Sequence, residues 1–262
     1  MIIGGDKRQE YLKDLLELKY SDVYHIRYLA DICQLDNIGE YSDVILPIPV
    51  SKDGFTVYSN NRLDLSLDSL YGAIQPHQRV YGGGVKTDCS NLVFDLMKNP
   101  SFKLINAHFT AQGTLRLMLE NTDEFIIGKK ALIIGFGDVA TTLAHTLSNL
   151  GLKVVTAMRN PYKRCEAKAL GYEAISLDEI SNVIDGCDYI FGTVPATVLT
   201  KNHIREMKTD SVYIELASAP FTADKSIFEK YSKNYIFGGG LPGKYLPKAS
   251  AELIADYILK GE

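Results

Sequence analysis

The sequence has no apolar run near the ~18 residues a membrane-crossing helix requires; its longest is Ala131 to Ile134. Cysteine is scarce and scattered. Cys33, Cys89, Cys165 and Cys187 form no CxxC pair, which argues against a metal site and for reduced thiols in a cytoplasmic protein. The opening MIIGGDKRQE lacks the basic region and long apolar stretch of a secretory signal, again an expectation of cytoplasmic location. Basic charge is not in surplus. With 28 Lys+Arg against 32 Asp+Glu and a formal net charge of -4, the electrostatic footprint of a sequence-blind nucleic-acid binder is missing. At 46% hydrophobic and 23% charged residues, the chain is neither disordered nor fibrous, and its 262 residues suffice for one or two domains with real cores.

Two segments begin alike. Met1–Asp6 reads MIIGGD and Ala131–Asp138 reads ALIIGFGD: an apolar strand runs into glycines, then a helical pattern follows. Two such starts predict two α/β domains in tandem. The first is expected over residues 1–105, with a helix at Arg8–Leu18, strands at Asp43–Val50 and Arg79–Val85, and a helix at Asp88–Met97 that stops before Asn99-Pro100. A helix over about 106–121 is expected to link the domains. The second, 128–248, alternates regularly. Strands are predicted at Lys130–Gly135, Lys153–Met158, Tyr189–Thr193, Ser211–Leu216 and Tyr235–Gly238. Helices are predicted near 138–150, 162–170, 178–184, 200–206 and 224–230. That order implies a doubly wound parallel sheet of the Rossmann type. A last helix, Ser250–Lys260 within 249–262, is free to return to the first domain.

The sharpest signal is Gly135-Phe136-Gly137-Asp138-Val139-Ala140, a GxGxxA turn between a strand and a helix with Val139, Leu143, Leu147 and Leu150 on one stripe. Gly135 permits the tight turn, Gly137 lets the backbone approach a pyrophosphate, and Ala140 lets helix and strand pack closely. An NAD site places a carboxylate at the end of the next strand. Here that strand runs into Arg159 and Asn160, with Lys163 and Arg164 close behind. A base where the acid belongs favours NADP over NAD. The later strand ends Thr193-Val194-Pro195 and Leu216-Ala217-Ser218 are expected to flank the nicotinamide and its ribose. The glycine-rich run from Gly238 to Lys244 suits close approach to a ligand, and Leu241 and Pro242 are assigned to the cofactor.

Several strings occur in order along nearly the whole chain: Gly4-Gly5-Asp6-Lys7-Arg8-Gln9, LPIPVSKDG (Leu46–Gly54), Thr110–Thr114, GFGDVA, LASAP (Leu216–Pro220) and GLPGKYLPKASAELI. Together they resemble the family of dipicolinate synthase A subunits. GGDxRQ, and GLPG followed by Pro247-Lys248, are the distinctive pieces. The resemblance implies a two-domain fold like that of the D-2-hydroxyacid dehydrogenases, with the nucleotide between the domains. It also implies a pyridine-nucleotide oxidoreductase forming dipicolinate from dihydro- or hydroxytetrahydro-dipicolinate, a flavoprotein partner (the B subunit), and a role in sporulation; a homo-oligomer is expected besides. Departures exist: Gln112 stands where the family usually has Glu, Phe109 where Pro is frequent, and Asp138 where Arg is common. The turn is also similar to the GYGDVGKG turn of S-adenosylhomocysteine hydrolases, which keep an acid where this chain has Arg159.

A substrate with two carboxylates needs cationic donors and backbone N–H groups. Lys7, Arg8, Ser51, Gly83 and Gly84 are the candidates to bind it. Lys244 is a candidate anion partner, and His108 is the side chain suited to take a ring proton near neutral pH as hydride leaves to the cofactor. Both are expected in the cleft. Two rivals stay open. One is a nucleotide-binding subunit whose chemistry needs the flavoprotein. The other is a D-2-hydroxyacid dehydrogenase-like enzyme, against which stands the absence of a His–acid pair in 238–247.

Overall fold

The computed structural model describes residues 1–85 and 92–261. The chain divides into two compact units, residues 1–106 with 242–262 and residues 107–241.

In the first unit, strands β1 (Ile2–Ile3), β2 (His25–Ile26), β3 (Asp43–Ile45), β4 (Arg79–Gly82) and β5 (Phe94–Asp95) form a parallel sheet in the order β2-β1-β3-β4-β5. Alternation along these short strands fills both faces. Ile3, Val44 and Val80 join one core with Leu70 and Tyr71 of helix α2 (Leu67–Ala73). Ile2, Ile45 and Tyr81 join the other, covered by Leu12 and Leu16 of α1 (Lys7–Glu17) and by Ala251, Ile254 and Ile258 of α9 (Pro247–Lys260). Helix α1 starts where it does because Asp6 caps it, accepting from the Arg8 N–H at 3.0 Å, while Gln9 Oε1 accepts from the Asp6 N–H at 2.9 Å. This reciprocal arrangement satisfies two otherwise unpaired donors.

Helix α3 (Pro100–Leu119) begins in the first unit and ends in the second. The second unit's six strands are all parallel: β6 (Lys130–Ile134), β7 (Lys153–Ala157), β8 (Glu173–Ile175), β9 (Tyr189–Gly192), β10 (Val212–Glu215) and β11 (Asn234–Phe237). Their order, β11-β10-β9-β6-β7-β8, is that of a dinucleotide-binding doubly wound sheet. Strands buried on both faces read as continuous apolar runs, as in Ala131–Ile134, all fully buried. Helices α4 (Asp138–Asn149), α5 (Pro161–Ala169), α6 (Lys201–Glu206) and α7 (Lys225–Lys230) connect them. A short helix α8 (Leu241–Tyr245) precedes α9.

Some expected elements differ. In place of the described part of the predicted helix 88–97 stand β5 and a 3₁₀ turn, Leu96–Lys98; positions 88–91, Cys89 among them, lie outside the described residues. The linking helix opens at Pro100 rather than near Asn106. Asn99 Oδ1 accepts from the Ser101 and Phe102 N–H groups at 3.0 and 3.2 Å, and proline at the first helical position loses no bond. The segment 178–184 holds 3₁₀ turns, Leu177–Asn182 and Ile184–Gly186. Strand β8, helix α2 and a 3₁₀ stretch over Leu29–Glu40 add to the predicted set. Among the described residues, no helix is long and apolar enough to cross a membrane and no cluster of His, Cys, Asp or Glu is placed to hold a metal. Cys33 and Cys165 are exposed and unpaired, and Cys187 is buried.

Candidate functional site

In the second unit the strand order reverses between β6 and β9, and in open α/β sheets ligands bind outside the carboxyl ends at such a point. Gly135 follows β6 at φ 116°, and a Cβ there would collide with Thr193 Oγ1. Thr193 is held by its hydroxyl, which donates to the Ile134 carbonyl at 2.7 Å. Gly137 is exposed and forms the N-cap of α4 without a side-chain cap. A Cβ on Gly137 would meet no atom within 4 Å. The opening turn of α4 therefore faces open space with the positive end of its dipole, as a pyrophosphate requires. Asp138 and Val139 of that turn are half-buried. These residues fit a dinucleotide.

At the end of β7, Arg159 is exposed, with no carboxylate in ion-pair range among the described residues. Asn160 has a structural duty: its side chain caps α5, accepting from the Tyr162 N–H at 2.9 Å. The neighbouring cations are engaged. Lys163 pairs with Glu166 at 2.7 Å, and Arg164 Nη1 donates to the Met158 and Arg159 carbonyls at 3.1 and 2.8 Å.

Beyond β9, Val194 and Thr222 exchange hydrogen bonds at 3.1 and 2.7 Å, while Pro195 is exposed. Beneath the Leu216-Ala217-Ser218 turn lies a group that the sequence reading passed over. Glu215 is fully buried at the end of β10. It accepts from the Tyr213 hydroxyl at 2.7 Å and from the Ala217 and Ala223 N–H groups at 3.1 and 3.2 Å. Burial pushes its carboxyl above the usual range although these donors pull it down. The Tyr213 hydroxyl, also pushed up by burial, occupies the space a side chain at Gly192 would need. Glu215 thus pins the loop that carries Ala217 and Ser218. Leu241, assigned to the cofactor, is buried with its Cβ 2.8 Å from where one on Gly113 would sit, a packing contact. The Pro242 carbonyl is taken up inside the first unit, accepting from the Leu246 N–H at 3.0 Å and the Ser250 hydroxyl at 3.3 Å.

In the first unit the order reverses between β1 and β3. Arg8 spans that point. Its Nε and Nη2 bind the two oxygens of Asp6 at 2.8 Å each, and Nη2 also donates to the Ile48 carbonyl at 2.5 Å. Burial pushes the Asp6 carboxyl up, but the bonds and charge of Arg8 outweigh it and hold the carboxyl below its usual range. Gly243 of α8 lies directly over the pair, since a Cβ there would sit 2.5 Å from Asp6 Oδ2 and 3.0 Å from Arg8 Nε. The GGDxRQ and GLPG strings are thereby brought together. Arg8, assigned to substrate, is buried and directed into this pair.

Ser51 and Gly84 line a cavity of about 130 Å³ with Lys52, Val50, Leu67 and Tyr71. The Ser51 hydroxyl donates to Asp53 at 2.9 Å and accepts from the Gly54 N–H. Asp53 also accepts from the Thr56 hydroxyl and from the Phe55 and Thr56 N–H groups, and these bonds hold its carboxyl well below the usual range. Gly83 packs against Ile48, and the Gly84 N–H donates to Asp95 at 3.0 Å. Lys52, absent from the predicted set, rests its Nζ 3.7 Å from the centre of the Tyr58 ring. Burial lowers its pKa, with Asp6 opposing. Lys7 is exposed, 5.8 Å from the Tyr11 ring centre. Lys244 is exposed on α8, 4.6 Å from the Tyr245 ring centre. His108 is exposed in mid α3, within the helix expected to link the domains.

The second unit also matches a family model at residues 109–235, that of the S-adenosyl-L-homocysteine hydrolase, NAD binding domain. The fold is shared with a 2-hydroxyacid dehydrogenase from Ketogulonicigenium vulgare Y25, at TM-score 0.63 and 11% identity over 99% of this chain and 94% of that one. The fold and the matched model are those of a nucleotide-binding α/β protein similar to NAD(P)-dependent oxidoreductases. Its end-to-end likeness is more particular. The chain is 25% identical to the A subunit of dipicolinate synthase of Bacillus subtilis (strain 168) over 99% of its own length and 94% of that protein's. It superposes on the crystal structure of the dipicolinate synthase A subunit from Bacillus halodurans with TM-score 0.83, 24% identity and coverage of 99% and 95%.

Proposed function

We propose that this chain is an NADP-dependent oxidoreductase subunit that forms dipicolinate from dihydro- or hydroxytetrahydro-dipicolinate. The observation that carries the reading is the end of β7. A chain similar along its length to the A subunit of dipicolinate synthase presents an unpaired Arg159 where an NAD site places a carboxylate, and a guanidinium suits a 2′-phosphate. Gly135, Gly137 and the first turn of α4 hold the pyrophosphate, and the loops after β9 and β10 flank the reacting end.

The chemistry is an aromatisation. The dihydropyridine ring loses a hydride and a proton to become the pyridine; from the hydroxytetrahydro compound, water leaves first. The oxidised nicotinamide, when bound, supplies the hydride acceptor. The chain must orient a dicarboxylate and accept the proton, for which His108 is the candidate. A flavoprotein partner, the B subunit, belongs to this reading.

The test is to assay the purified chain with precursor and NADP or NAD, with and without the flavoprotein. NADP reduction that requires precursor supports the reading. Nucleotide binding without turnover, relieved only by the flavoprotein, supports the rival reading of a nucleotide-binding or electron-delivery subunit. Absence of nucleotide binding overturns both.

A further inference from the structure

We propose that Lys52 is the carboxylate-recognising cation of the first unit, presented at the edge of the cavity lined by Ser51, Tyr71 and Gly84. This rests on the reading above that the substrate is a small dicarboxylate.

Among the described residues, the charges at the carboxyl edge of the first sheet can be sorted by what already holds them. Arg8 is one alternative, but it is buried, bound at both oxygens of Asp6 and donating to Ile48. That pair carries no net charge. Asp53, which also lines the cavity, has its carboxylate already satisfied by Ser51, Phe55 and Thr56. Among the described residues no carboxylate oxygen lies within ion-pair distance of Lys52. Its ammonium instead lies 3.7 Å from the centre of the Tyr58 ring, a contact that steadies a cation without neutralising it. The Tyr58 hydroxyl is itself tied to Asn60 at 2.7 Å, so the platform is fixed.

The cavity beside this charge opens where β3 and β4 end, the edge at which α/β sheets take ligands. Val50, Leu67 and Val85 supply an apolar wall. At about 130 Å³ the space suits one carboxylate with part of a ring. A flat, apolar-faced anion is the class of ligand this combination fits.

The experiment is calorimetric titration of the full chain with pyridine-2,6-dicarboxylate, with NADPH titrated separately. Lys52→Met should weaken dicarboxylate binding by about 10- to 100-fold, the range for losing one charge-assisted hydrogen bond. Lys52→Arg should retain most of it, and NADPH affinity should not change in either. If the wild type binds the dicarboxylate and Lys52→Met binds it equally, the assignment of Lys52 is overturned while the functional reading stands. If the wild type binds NADPH but neither pyridine-2,6-dicarboxylate nor its dihydro precursor, the dicarboxylate reading fails and takes this proposal with it. Should Lys52→Met fold poorly, Tyr58→Leu removes the platform and keeps the charge. It should weaken the dicarboxylate selectively, and unchanged affinity there overturns the proposal.

Discussion

Replacing Arg159 by alanine should abolish a preference for NADPH over NADH. The structure sets the size of that preference. Three cations follow β7 within a few residues, and had all been available at about tenfold each the discrimination would reach about 1,000-fold. Lys163, however, is 2.7 Å from Glu166, which cancels its charge locally. Arg164 is turned back onto the carbonyls of Met158 and Arg159. Arg159 alone is left, on an exposed loop, where water screens part of each contact. One charge-assisted bond so discounted is worth about 1.4 kcal/mol, or tenfold. Fluorescence titration of the wild type should therefore show NADPH binding about tenfold more tightly than NADH. The margin should shrink as salt is raised, because the contact is exposed. Arg159→Ala should lose that tenfold for NADPH and leave NADH unaltered, since NADH carries no 2′-phosphate for the guanidinium to meet. Equal affinities in the wild type would refute the reasoning. A preference that survives Arg159→Ala would move the phosphate contact elsewhere.

Other expectations follow from the same geometry. Gly135→Ala, with φ at 116° and Thr193 Oγ1 in the way, should cost about 1–3 kcal/mol of stability, read as a lowered urea midpoint. Gly137→Ala meets no protein atom within 4 Å, so it should unfold like the wild type in urea yet lose nucleotide affinity; retained affinity would remove the pyrophosphate from that turn. Glu215→Gln replaces an acceptor of three donors by one with a single oxygen, leaving a buried N–H unpaired at about 1–3 kcal/mol; an unchanged urea midpoint would count against its role beneath the loop. Asp6 is held below its usual range by Arg8, so its stabilisation is present above the unfolded carboxyl pKa of about 3.9 and is lost as pH falls through the folded value. Urea midpoints of the wild type should drop on acidification below about pH 4 more steeply than those of Asp6→Asn, and parallel curves would show that the pair does not contribute.

The α/β class and the nucleotide-binding turn are legible because the second unit's strands are buried on both faces and read as apolar runs, as at Ala131–Ile134. Where strands shrink to two residues, as at Ile2–Ile3, His25–Ile26 and Phe94–Asp95, no periodicity can develop, and β5 reads as helix. Strand β8, at the sheet edge, has only three residues. Residue roles are harder to see. Arg8 in GGDxRQ looks like a ligand-binding arginine until Asp6 is seen to hold both sides of its fork. Asn160 follows the second strand as a ribose-binding residue would, but its amide oxygen caps α5. Lys52 escapes notice because one lysine in a polar loop has no pattern; Tyr58 distinguishes it, six residues on. Glu215 does carry a signal: an acid inside the otherwise apolar run VYIEL, in a strand whose neighbours are all buried, must be paired or neutral.

The first unit is assembled from two stretches, 1–106 and 242–262, and that imposes an order on biosynthesis. The apolar side of α1 and β1 is covered by α9, with Phe102 and Tyr257 meeting edge to face at 5.3 Å. Synthesis must pass through the whole of the second unit before α9 is made, on the order of ten seconds at typical elongation rates. During that interval Leu12 and Leu16 lack their final cover, whereas the second unit, continuous in sequence, can close as soon as β11 emerges. The nucleotide-binding half is therefore set to mature first on the ribosome, and the half built around α1 and α9 is the one a chaperone would need to shield.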